Sequence, residues 1–119
     1  MSQPMPFEEQ VRANFSKVET SPEFAGDRLW LTFYLSGQPG DLWRLSDVLE
    51  SRGWTNLGSW EGGFFYPKLH VDKSLSSIVE AAEGAGKLCT EYGAEIILID
   101  ADTSSDVERS HFVTLYRQS

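Results

Sequence analysis

GWTNLGSWEGGFFY, residues 53–66, sets large apolar side chains on either side of a glycine pair. Glu61-Gly62-Gly63 supplies a turn, because glycine takes the positive φ that tight hairpins need. Two strands are therefore expected, Trp54 to Trp60 and Phe64 to Val71. A two-residue turn at Glu61-Gly62 puts Trp54, Trp60, Phe65, Leu69 and Val71 on one face. Leu57, Phe64, Tyr66, Lys68 and His70 fall on the other, since side chains alternate along a strand.

Upstream of this hairpin, Arg28 to Ser36 alternates as a strand, with Leu29, Leu31, Phe33 and Leu35 opposite Trp30, Thr32 and Tyr34. Gly37-Gln38-Pro39-Gly40 turns the chain, and Asp41 is the expected N-cap of a helix. Leu42, Leu45, Val48 and Leu49 give that helix its buried stripe, and Gly53 suits the C′ position. Downstream, Ser74 caps a longer helix whose Leu75, Ile78, Val79, Ala82, Ala85, Cys89 and Tyr92 face inward, with Gly93 at its end. Gly84 and Gly86 each cost that helix roughly 1 kcal/mol against Ala, which implies close packing on the sheet. Glu95 to Ala101 reads as a fourth strand, residues 102–109 as a polar loop and His111 to Arg117 as a fifth strand. At the start of the chain Pro6, Glu8 and Glu9 open an amphipathic helix over residues 7–18, with Phe7, Val11, Phe15 and Val18 at helical spacing.

The order α-β-α-β-β-α-β-β contains the split βαββαβ unit of ferredoxin-like folds. The expected architecture is an α+β, ferredoxin-like two-layer sandwich on an antiparallel sheet, with an N-terminal helix and an extra C-terminal strand. Residues 1–119 form a single domain with its core in residues 28–117.

Eighteen acidic residues against ten Lys and Arg give a formal charge of −8 over 119 residues. That sign repels phosphate backbones, and the cations are scattered singly, so direct nucleic-acid binding is not expected. Cys89 is the one cysteine, which excludes an intrachain disulfide. The first residues lack the basic and apolar regions of a signal peptide, and the longest apolar run, Ile96 to Ile99, is too short to span a bilayer. A cytoplasmic protein away from membranes is expected.

His70 and His111 lie on separate strands without a Cys partner at metal spacing, and Cys89 has no neighbouring cation to activate it. No catalytic residue, cofactor or metal site is expected. Asp100, Asp102, Asp106 and Glu108 form the densest acidic cluster. It reads as a solvated hairpin loop, as a divalent-cation site, or as carboxylates that steer a basic partner. Trp30, Tyr34, Phe64 and Tyr66 share the sheet face away from the helices. Three readings of that face stay open: cover by the N-terminal helix through Phe7, Val11 and Phe15, a protein interface, and an RNA-stacking platform.

Leu49-Glu-Ser-Arg-Gly53-Trp54, the hairpin, and the helix end Leu88-Cys-Thr-Glu-Tyr-Gly-Ala-Glu95 together resemble the ribonuclease E inhibitor family, the regulator of ribonuclease activity B type. The resemblance covers residues from about 28 to 101 and implies a small acidic sandwich that binds and modulates a ribonuclease without being an enzyme. Glu95-Ile-Ile-Leu-Ile-Asp100 departs from the Tyr-Asp-Gly-Trp segment common there.

The expected function is an acidic inhibitor of a basic protein, with a nuclease as the expected partner. It would bind through Asp100, Asp102, Asp106 and Glu108 and through Trp30, Tyr34, Phe64 and Tyr66. An immunity protein against a toxin nuclease asks the same surface to do the same work. The other classes are a small-molecule-binding or enzymatic α+β domain with a pocket between hairpin and helices, and a homodimer through the open sheet face.

Overall fold

A computed structural model describes residues 6–55, 60–61, 64–103 and 111–118, without the side chains of Pro6, Trp60, Glu61 and Phe64. Its elements are α1 (Pro6–Glu19), a 3-10 turn (Pro22–Phe24), β1 (Arg28–Ser36), α2 (Pro39–Ser51), β2 (Trp60–Glu61), β3 (Phe64–Phe65), β4 (Lys68–Asp72), α3 (Leu75–Tyr92), β5 (Glu95–Asp102) and β6 (Phe112–Arg117). The chain is an α+β domain built on an antiparallel sheet. Its strand order is β2-β3-β1-β5-β6, with β4 also beside β1.

The alternation in β1 holds: Leu29, Leu31, Phe33 and Leu35 are buried in one core with Leu42, Leu45 and Leu49 of α2 and Ile78, Ala82 and Ala85 of α3. The expected strand from Phe64 to Val71 is interrupted at Tyr66-Pro67. Both pieces nevertheless keep one register on β1, from Ser36↔Phe64 to Arg28↔Asp72. Phe33 N–H donates to the Pro67 carbonyl at 3.0 Å, and proline has no N–H to return the bond. Before the hairpin, Thr55 bridges Lys68 and Trp60–Glu61 forms a strand, while residues 56–59 of the expected Trp54–Trp60 strand lie outside the described residues. Leu57 and the Gly62-Gly63 turn lie outside the described residues.

Helix ends follow local chemistry. α2 begins at Pro39 with Gln38 as N-cap, so Asp41 sits inside the first turn rather than capping it. Proline lacks the N–H that the first turn leaves unbonded, which favours this earlier start. Asp41 instead pairs with Arg44. α3 starts at Ser74, whose hydroxyl accepts from Ser77 N–H at 3.2 Å, and ends where Gly93 takes φ +74°.

α1 does not close over the far face of the sheet. It packs on α3 and β6, joining the helix layer, with Phe7 edge-on to Tyr116 at 4.8 Å between ring centroids. Two side chains also satisfy the outer edge of β6. Gln10 donates from Nε2 to the Arg117 carbonyl and accepts from Arg117 N–H, both at 3.1 Å, while Asn14 donates to the Leu115 carbonyl at 3.0 Å. Those amides replace a strand that the edge would otherwise seek from another chain.

The two helix glycines differ from the expected packing on the sheet. A Cβ at Gly86 would meet the Phe7 ring at 2.8 Å, so the close approach is to α1, and a Cβ at Gly84 would meet nothing within 4 Å. Gly84→Ala should raise stability by about 0.5–1 kcal/mol in urea unfolding, the helix-propensity gain, while Gly86→Ala should show no such gain because Phe7 must move. Equal gains at both positions would contradict this packing.

Candidate functional site

The sheet face away from α2 and α3 carries three rows of side chains, set by strand register. The first runs His70, Trp30, Asp102, Phe112, the second Lys68, Thr32, Asp100, Thr114, and the third pairs Tyr34 with Leu98 across from Arg117. Tyr66 closes on Tyr34 in the third row, ring centroids 4.9 Å apart at 76°. In the first row the His70 imidazole stacks on the Trp30 indole at 4.5 Å and 12°.

Between the aromatic rows lies a polar cluster. Lys68 is 1 % exposed, Asp100 3 %, and Thr32 and Asp102 5 % each. Lys68 Nζ donates to Asp102 Oδ2 at 3.0 Å and to Thr32 Oγ1 at 2.6 Å, and the Thr32 hydroxyl donates on to Asp102. One ion pair with one shared hydroxyl thus fastens β4, β1 and β5 together. Asp100 takes hydroxyl donors instead, Thr114 Oγ1 at 2.9 Å and the Tyr34 phenol. Among the described residues no buried side-chain nitrogen or oxygen lacks a hydrogen-bond partner, and no three metal-ligating side chains converge.

This geometry corrects part of the expected partner surface. Asp100 and Asp102 were expected as solvent-facing carboxylates, but strand β5 runs on through Asp102 and turns both inward, two residues apart on one face. Asp106 and Glu108 lie outside the described residues. Trp30, Tyr34 and Tyr66 are half-buried on the expected face, while Phe64 pairs with Ser36 and its side chain is not among those described. Phe112 was missed: it is 62 % exposed, beside Asp102 in the first row. Lys68 and Thr32 were missed as a unit. The signal was there in a lysine and two aspartates on same-face positions of strands that flank Thr32.

A second site, between α1, α3 and the ends of β5 and β6, is an open groove of about 750 Å³ along Phe7, Gly86, Ile96 and Tyr116. Cys89 lines it, buried, and burial pushes its thiol up to about 12, so it stays protonated. No hairpin residue lines the groove, so it is not the expected pocket between hairpin and helices.

Burial pushes the Asp100 carboxyl above its ordinary 3.8, the Asp102 charge adds to the rise, and the hydrogen bond from Thr114 opposes it. The folded chain therefore holds this proton more tightly than the unfolded chain. The stability that the protonated form contributes is present below the unfolded value and is lost as pH rises through the folded one. Asp100→Asn keeps the side chain's shape and one carbonyl acceptor and abolishes the titration. Its stability relative to the parent should rise from about pH 4 upward and then level off in urea unfolding at successive pH values. A pH-independent difference would contradict the assignment. Lys68→Met leaves Asp102 buried without its cation and should cost about 3–5 kcal/mol, whereas a loss under about 1 kcal/mol would mean that water screens the pair.

Searches among protein-family models, curated proteins and solved structures found no match to this chain, so the function of this face is inferred from its own geometry.

Proposed function

We propose that this chain is a small acidic, non-enzymatic protein that binds and regulates a basic protein. The resemblance to the ribonuclease E inhibitor family makes a ribonuclease the partner. One observation carries the proposal: a ring row in which half-buried Trp30 is flanked by exposed His70 and Phe112 lies on the sheet face away from the helix layer of a chain with charge −8. Aromatic anchors supply binding energy when water is excluded around them, and opposite charge speeds encounter and sets orientation.

The ferredoxin-like assignment belongs to the same proposal. The strand order β2-β3-β1-β5, with α2 and α3 packed against each other, is the order a βαββαβ unit takes, and β6 is then the added strand. A structural role for the buried cluster supports a binding protein over an enzyme, because its donors and acceptors are spent on one another. The free, buried Cys89 fits a reducing compartment such as the cytoplasm.

The test is an RNA-degradation assay in which the purified chain is added to the ribonuclease fraction of its host. Added chain should slow degradation, and the association behind that effect should slow as salt rises. Phe112→Ser should weaken inhibition by at least about tenfold, the loss expected for a truncated aromatic anchor. Unchanged degradation at saturating chain would remove the ribonuclease, and full potency of the Phe112→Ser variant would remove this row as the contact.

A further inference from the structure

We infer that Arg28 closes the outer edge of β4 against a second copy of this chain, and that the protein stays a single chain because of it. This closure does not depend on the partner proposed above.

Backbone direction shows which groups face outward. Among the described residues β4 pairs with β1 on one side, and on the other side only Lys68 has a strand neighbour, Thr55. Lys68 exchanges both of its backbone bonds with Thr55 at 2.9 Å, so its N–H and carbonyl point away from β1. Backbone groups repeat every second residue along a strand. Those of His70 and Asp72 therefore point out as well, and those of Leu69 and Val71 face β1. The bond from Phe33 N–H to the Pro67 carbonyl has the parity this requires. Past Lys68 the sheet ends in outward groups, the kind of edge that templates another strand.

The outward carbonyls are all taken. Lys68 accepts from Thr55 N–H and Asp72 from Ser74 N–H, both at 2.9 Å. Between them, the His70 carbonyl accepts from Arg28 Nη2 at 3.0 Å, while Nη1 of the same guanidinium reaches Asp72 Oδ1 at 3.3 Å. Arg28 also lines a groove of about 330 Å³ with Val71 and with Ala81 of α3, which puts it at the margin between sheet and helix. The ion pair with Asp72 joins side chains that are 50 % and 68 % exposed, so it adds little stability. Its use is closure. At the opposite edge, Gln10 and Asn14 do the same for β6.

Self-complementarity names the occupant. Two copies of β4 laid antiparallel about a twofold axis at Val71 set His70 of each opposite Asp72 of the other. Backbone bonds would then run both ways between the two residues, and those from the Asp72 N–H end on the His70 carbonyl that Arg28 covers. Asp72 keeps a second lone pair beside its bond from Ser74. At His70 the obstacle is bulk as well, because a guanidinium 3.0 Å from an outward-pointing oxygen stands where the incoming backbone would lie.

The experiment compares the parent, Arg28→Met and Arg12→Met by light scattering as concentration is raised, with amide hydrogen exchange followed by NMR. Arg12 pairs with Glu8 on the surface of α1, so its variant loses the same charge away from the edge. The parent and Arg12→Met should keep the mass of one chain. Arg28→Met should unfold at the parent's urea midpoint when dilute and rise in mass toward two chains when concentrated. Exchange of its His70 and Asp72 amides should slow at least about fivefold over the same range. An Arg28→Met chain that stays single at every concentration would overturn the inference. So would association of Arg12→Met, which would make net charge the cause, or protection that appears at Phe112 and not at β4. A parent that pairs through β4 would overturn it too.

Discussion

Lys68, held at 3.0 Å from Asp102 and sharing the Thr32 hydroxyl with it, decides what the sheet can be. The pair sits where an ordinary two-layer sandwich would place solvated side chains, yet Lys68 and Asp102 are almost wholly buried. A charge taken out of water must be matched at close range, and removing one partner strands the other. The three strands it joins, β1, β4 and β5, are also those under α3 and the core, so the register that fills the core is the register that pairs the charges. A slip of one residue would invert both faces together.

The consequence is a sheet with two unlike sides. One is a hydrophobic core, aliphatic and aromatic, packed under three helices, with the β6 edge sealed by Gln10 and Asn14. The other has a polar centre bordered by rings, which gives it rigidity without a second apolar layer. Trp30 leans on His70 and Tyr34 meets Tyr66, so each ring is braced by a neighbour. Rings already ordered lose little entropy on binding, and this is how a small surface can be specific.

Much of this was legible from period and punctuation. The alternation in Arg28–Ser36, the Ser74 cap and the Gly93 stop were written locally, and each became the element it announced. Three things were not. Pro67 divides a strand whose hydrophobic pattern runs straight through it, because the missing N–H leaves the side-chain spacing intact. A register shift between Ile99 and Asp100 buries Leu115 and Tyr116 in succession, which an alternating pattern cannot express. The polar cluster draws on residues up to 70 positions apart, so Asp100 and Asp102 looked like the start of an acidic loop until Lys68 and Thr32 were placed beside them. Local chemistry marks elements; only register shows which charges are spent inside.

The central claim is that the bordered polar face, and not the acidic helices, meets a basic protein. A photo-crosslinking residue placed at position 112, and at Glu80 of α3 as a control, tests it inside the host. The account predicts a crosslink from position 112 to a basic ribonuclease and none from position 80. A crosslink from position 80 alone, or from 112 only to a second copy of this chain, would contradict it.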